Sequence, residues 1–135
     1  MVKQIFVNLP VKDLKRSVEF FTRLGFEFNR QFTDENATCM IIGENMYAML
    51  LVEPFFRTFT SKEICDTARS TEVLVALQVE SRAKVDELAD KALATGGRVA
   101  SEPRDYGFMY QRSFEDPDGH TWEVFFMDPS AVPGR

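Results

Sequence analysis

The chain has 135 residues, 44% of them hydrophobic with 13 Phe, enough apolar material for one domain core without staples. The formal net charge is −5 with acids and bases intermixed, and no Lys/Arg-rich run offers the basic stripe that nucleic-acid binding requires. With no stretch near the ~18 apolar residues of a membrane span, no apolar signal core in MVKQIFVNLPV and only two scattered cysteines, Cys39 and Cys65, a soluble cytoplasmic protein with reduced thiols is expected.

In IFVNLPV, Ile5, Val7, Leu9 and Val11 alternate with Phe6, Asn8 and Pro10, the period-2 signature of a strand. The period then changes. Asp13 can cap a helix from about Leu14, with Val18, Phe21 and Leu24 on one face and Gly25 as the left-handed stop. FEFNRQF, ATCMIIG and MYAMLLVE read as further strands, the last two joined by the turn signal GEN. The first module, about residues 1–53, is therefore βαβββ.

A connector, about 54–71, follows. Thr60 with Glu63 fits a capping box and predicts a short helix there. Its Phe55, Phe56 and Phe59 either close over a cavity as a lid or pin the connector to the domain. The second module, about 72–128, repeats the order: VLVALQVE as a strand, Arg82–Ala94 as a helix ended by Gly96 and Gly97, then RVASEP, FMYQRSFED and HTWEVFFMD as strands with DPDG as a hairpin turn. Residues 129–135 form a tail. Val7, Leu9 and Val11 fall on Val75, Leu77 and Val79 at one constant offset, which favours an internal duplication.

The closing DPDGHTWEVFF sets one carboxylate, Glu123, among aromatic and branched neighbours. By strand parity Thr121 and Phe125 share its face, while Trp122, Val124 and Phe126 turn to the other. Depending on hairpin register, either Arg112 or Ser113 stands opposite it, about 5 Å away between Cβ atoms. Arg112 would form an ion pair; Ser113 would leave the carboxylate freer to accept a proton. His120, the only histidine, has opposite parity and lies close to the turn, and it is expected as a surface imidazole.

The opening strand followed by VKDLKRSVEFFTRLGFEF, and the closing DPDGHTWEVFF, resemble the vicinal oxygen chelate superfamily of glyoxalase I, bleomycin- and fosfomycin-resistance proteins and extradiol dioxygenases. The resemblance covers nearly the whole chain. It implies an α+β fold of two βαβββ modules whose curled mixed sheet surrounds a cavity, with a small organic molecule as ligand and a homodimer as the assembly. It also implies a divalent metal held by four strand residues. Carried over, those positions fall on Phe6, about Leu50 with one residue of slack, Leu74 and Glu123. One carboxylate among Phe and Leu is a poor donor set, so no metal or other cofactor is expected, with a divalent metal as the alternative.

On the implied cavity face stand Phe6 and Asn8, Ala48 and Leu50, and Leu74, Ala76 and Gln78, with Tyr110 and Arg112 as further ligand contacts and Glu123 as the candidate catalytic group. An apolar pocket with few polar handles suits small-molecule binding. A metal-free binding module is the favoured reading. The alternatives are a metal-dependent or Glu123-based lyase, isomerase or dioxygenase, and a purely structural domain.

Overall fold

Residues 1–131 are described in the computed structural model; the end of the expected tail, 132–135, lies outside the described residues. The chain divides into a first unit, Met1–Cys65, and a second that begins at Asp66. No helix among the described residues is long and apolar enough to cross a membrane. Cys39 and Cys65 are free thiols, and burial pushes the Cys39 thiol above its ordinary value.

The first unit is built from β1 (Ile5–Val11), α1 (Leu14–Arg23), β2 (Glu27–Asn29), β3 (Ala37–Gly43), β4 (Met46–Val52) and the single-turn α2 (Glu53–Phe56). Asp13 caps α1 by accepting from the Arg16 N–H at 3.1 Å. Beyond Leu24 the chain reverses through Gly25, whose φ of +105° is a conformation that a Cβ would disfavour. The sheet order is β1-β4-β3-β2, with β1 parallel to β4 and the other pairs antiparallel.

Register decides the faces of this sheet. Val7 and Leu9 lie beside Ala48 and Leu50, and Met40 and Thr38 lie next across. With Leu9, Ala48, Leu50 and Met40 buried along with Phe20 and Phe21 of α1, this is the helix-covered face. Of these, Leu9, Leu50, Met40, Phe20 and Phe21 each contribute roughly 1.5–3 kcal/mol by leaving water.

Two expected elements differ. The strand FEFNRQF stops at Asn29, because the Asn29 side chain takes the Gln31 N–H at 3.0 Å and starts a 3-10 turn, Arg30–Phe32. In the connector no helix starts at Thr60. The turn forms earlier, over Glu53–Phe56, where Pro54 suits the first helical turn, and continues as a 3-10 turn, Arg57–Phe59. Thr60 instead accepts from the Lys62 N–H at 3.1 Å, closing a local turn. Phe55 and Phe56 are half-buried and Phe59 is exposed.

The second unit contains β5 (Leu74–Gln78), α3 (Arg82–Ala94), β6 (Arg98–Val99), β7 (Arg104–Asp105), β8 (Met109–Glu115) and β9 (Thr121–Met127). Ser81 caps α3 as Asp13 caps α1, accepting from the Lys84 N–H at 3.1 Å. The order is β5-β9-β8-β6, with β5 parallel to β9 and β7 paired to β8. Val85, Leu88, Ala89 and Ala92 of α3 are buried, as are Phe114, Trp122 and Val124. RVASEP, expected as one strand, is a strand only at Arg98–Val99: the Ser101 N–H goes to the Ser113 side chain at 3.1 Å and Pro103 has no N–H to give, and the separate β7 starts after it.

Candidate functional site

Glu123 sits in the middle of β9, and alternation puts it on the face away from Trp122 and Val124, both fully buried. On the β5 side, Leu74, Ala76 and Gln78 stand beside Thr121, Glu123 and Phe125. On the β8 side, Glu115, Ser113 and Gln111 stand beside the same three. Leu74, Ala76 and Gln78 therefore share the face of Glu123, and of the two candidate cross-strand partners it is Ser113 that lies opposite.

The carboxylate is held by neutral groups. Gln111 Nε2 donates to Glu123 Oε2 at 3.1 Å. Ser113 Oγ lies 2.7 Å from Ser101 Oγ and accepts from the Ser101 N–H. Glu123, Ser113 and Ser101 line a cleft of about 260 Å³ together with Arg104, Glu115, Thr71, Thr121, Leu74 and Ala100. Arg104, directly opposite Gln111 in the ladder, makes no ion pair among the described residues. The cleft offers a cation, two carboxylates and four hydroxyls around a small apolar floor, a surface that can orient a small polar molecule.

Arg112 and Tyr110 are elsewhere. The hairpin pairs Glu115 with Thr121, which sets Arg112 beside Val124 and turns it toward α3. There its Nη1 donates to Asp86 at 3.0 Å and to Asp90 at 2.8 Å. The Tyr110 hydroxyl donates to Asp86 at 2.6 Å, and the Arg82 guanidinium lies 5.1 Å from the Tyr110 ring centroid. The Tyr110 hydroxyl, followed by Arg112, holds the Asp86 carboxyl below its ordinary value, and Asp86 in turn pushes the tyrosine up. Arg82 grips Asp105 through two 2.9 Å bonds and draws it down to about 2. The expected Glu123–Arg112 pair thus does not form, and Tyr110 commits its hydroxyl to the helix.

His120 is not a surface imidazole. It is 4% exposed, with Nδ1 3.4 Å from Glu72 Oε1, a residue that precedes β5. Asp116 holds the adjoining turn by accepting from the Asp118 N–H at 2.9 Å, the His120 N–H at 3.1 Å and Trp122 Nε1 at 3.0 Å.

In the first unit, Phe6 is 47% exposed and stacks on Tyr47 with centroids 4.8 Å apart, while Asn8 is exposed beside Met49. Leu50, and Ala48 with it, belong to the opposite, helix-covered face, so one residue of slack moves that position to Met49 or Leu51. The positions that the resemblance implies for a metal thus carry Phe6, Met49 or Leu51, Leu74 and Glu123. Only the last is an oxygen donor suited to a divalent ion, and among the described residues no three His, Cys, Asp or Glu side chains come together.

Ser101, Arg104, Gln111 and Glu115 were not singled out from the sequence. Gln111 and Glu115 follow from Ser113 by parity once the register is known. Ser101 enters because the expected strand stops at Val99, and Arg104 because an unexpected strand, β7, starts there.

Two βαβββ units, each pairing its first strand in parallel with its last, define a protein of the vicinal oxygen chelate type. The chain belongs to the Glyoxalase/Bleomycin resistance protein/Dioxygenase superfamily, whose family model matches residues 3–124. A hypothetical protein from S. aureus is 28% identical with a TM-score of 0.79, covering 93% of this chain and 94% of its own. A glyoxalase/bleomycin resistance protein/dioxygenase from Nocardioides is 24% identical, TM-score 0.73, covering 100% and 89%. The fosfomycin resistance protein of Listeria monocytogenes, at 20% identity and TM-score 0.67, covers 100% and 97% and shares the fold. No curated protein matches the chain in sequence.

Proposed function

We propose that this chain is a small-molecule-binding protein of the superfamily that holds a polar organic ligand against Glu123 without a resident divalent metal. The observation that carries this reading is the cleft itself. Among the described residues Glu123 accepts only from the neutral Gln111 amide, and it stands among hydroxyls and an Arg104 that has no ion-pair partner there. A ligand donating to Glu123 and accepting from Arg104 would make charge-assisted bonds at both ends.

A thermal-shift screen over aldehydes, thiol adducts, catechols and cationic antibiotics tests this, with each hit repeated on Glu123→Ala and Arg104→Ala. Hits are expected to weaken by roughly 10-fold or more in either variant, the equivalent of one charged hydrogen bond. Hits indifferent to both substitutions would sink the reading. So would one equivalent of Zn, Mn, Ni or Fe per chain in protein purified without chelator.

A second reading rests on Glu123 Oε1, which makes no hydrogen bond among the described residues and is open to accept a substrate proton in a metal-free, isomerase-like step. Glu123→Gln separates the two. Affinity retained with turnover abolished supports the base; affinity lost with no turnover in the parent protein supports binding alone.

A further inference from the structure

The two units treat charge differently on the helix-covered faces of their sheets. Asp13 and Ser81 cap their helices at equivalent points, so Val18 and Thr22 of α1 correspond to Asp86 and Asp90 of α3. Thr38 lies beside Leu50, itself paired to Leu9, and Arg112 lies beside Val124, itself paired to Leu77, so Thr38 and Arg112 correspond as well. In the second unit this place is filled and its cation is matched, because Arg112 bridges the Asp86 and Asp90 carboxylates. In the first unit the same place carries a valine and two threonines, and a recess of about 500 Å³ opens there.

The strand register says which side chains enter the recess. Thr38 and Met40 share the helix-covered face, and Phe28 lies beside Met40, so alternation turns Phe28 toward α1 and Glu27, beside Ile41, to the opposite face. Phe26 reaches the α1 side as well, its ring edge-on to Phe21 with centroids 6.1 Å apart. Asn29 is extended, with φ −85° and ψ 109°, so the alternation carries one residue further and turns Arg30 to the same side as Phe28.

The chemistry of the recess follows. Its floor is already satisfied: the Thr33 hydroxyl donates to the Asn29 carbonyl at 2.8 Å and lies 2.9 Å from Oγ1 of the buried Thr38. Val18, Phe26 and Phe28 form a half-buried apolar wall, and the exposed Arg30 stands at the rim. Among the described residues Arg30 makes no ion pair. An apolar wall with two aromatic rings beside one unmatched guanidinium fits an aromatic body that carries a single negative charge.

We propose that this recess is a second ligand site and that it takes an aromatic carboxylic acid, ring against Val18, Phe26 and Phe28 and carboxylate on Arg30. The ligand carboxylate gives Arg30 the partner that Asp86 and Asp90 give Arg112. The volume lies within the range of small-ligand pockets. The site is independent of the Glu123 cleft, since all of its residues belong to the first unit.

Isothermal titration of the purified chain with 3-phenylpropionate tests it. Three controls each lack one part: 3-phenyl-1-propanol the charge, phenethylamine its sign, and acetate the ring. The acid is expected to bind saturably, each control ~10-fold or more weakly, and Arg30→Gln to weaken the acid by a similar factor. Thr22→Trp, at an exposed position on the rim, is expected to fill the recess and abolish binding. Arg30→Gln remains decisive if circular dichroism shows that the bulkier change unfolds the chain. Glu123→Ala is expected to leave this binding unchanged. No saturable binding at millimolar 3-phenylpropionate, undiminished binding after Arg30→Gln or in a folded Thr22→Trp variant, a control that binds as tightly as the acid, or loss of binding in Glu123→Ala overturns the proposal.

Discussion

Asp116 shows how much one side chain organises. Its carboxylate accepts from two backbone N–H groups of its own turn and from the Trp122 indole, the largest fully buried side chain. Burial raises its affinity for a proton, opposed first by the charge of His120 and then by the Trp122 bond. Asp116→Ala would strand three donors and is expected to destabilise by about 3 kcal/mol or more, read from urea denaturation midpoints. A loss within ~0.5 kcal/mol would show that water replaces the carboxylate there. The sequence made DPDG legible as a turn but not the burial of His120, because parity gives a side chain's direction and not what packs against it. The face of Glu123 was readable for the same reason; whether Arg112 or Ser113 met it depended on a one-residue register set by the turn.

At the scale of elements, long periodic segments were legible and short ones were not. α3 spans Arg82–Ala94 as its caps and apolar spacing imply, while β2 ends at Asn29 and RVASEP stops at Val99, both through side chains that compete for backbone N–H groups. Beyond it comes β7, which presents Arg104 to the cleft while its neighbour Asp105 is gripped by Arg82 of α3. Because Arg82 holds the Asp105 carboxyl at about 2 against an ordinary 3.8, the grip stabilises the fold above the ordinary value. That stability disappears as pH falls through the lower one. The pair is exposed, so the effect is small. Wild type should therefore exceed Asp105→Asn in urea midpoint near neutral pH, with the gap closing between 3.8 and about 2. A gap that persists below that window would assign the difference to something other than this ion pair.

For the whole molecule, the duplication and the α+β class were readable because order, caps and first-strand register repeat. Assembly is read from edges. β1 and β5 each lie at the edge of their own sheet, and they carry Ile5 at 55%, Phe6 at 47% and Leu74 at 54% exposure. An edge strand offers unpaired backbone groups, and solvent-exposed apolar side chains along it attract another strand rather than repel it. Proteins that remain monomeric blunt such edges with charge, proline or bulges. In β1 only Pro10 does so, at a buried position, and β5 has neither proline nor charge. A homodimer that covers these edges is the expected state, with a mass by size-exclusion and light scattering twice the chain's 15.5 kDa. Ile5→Lys with Leu74→Lys should shift it toward monomer, since a charge on each edge must be desolvated on pairing. A wild-type mass of 15.5 kDa at micromolar concentration would mean that the edges are tolerated bare. A dimer indifferent to both lysines would place the contact on another surface.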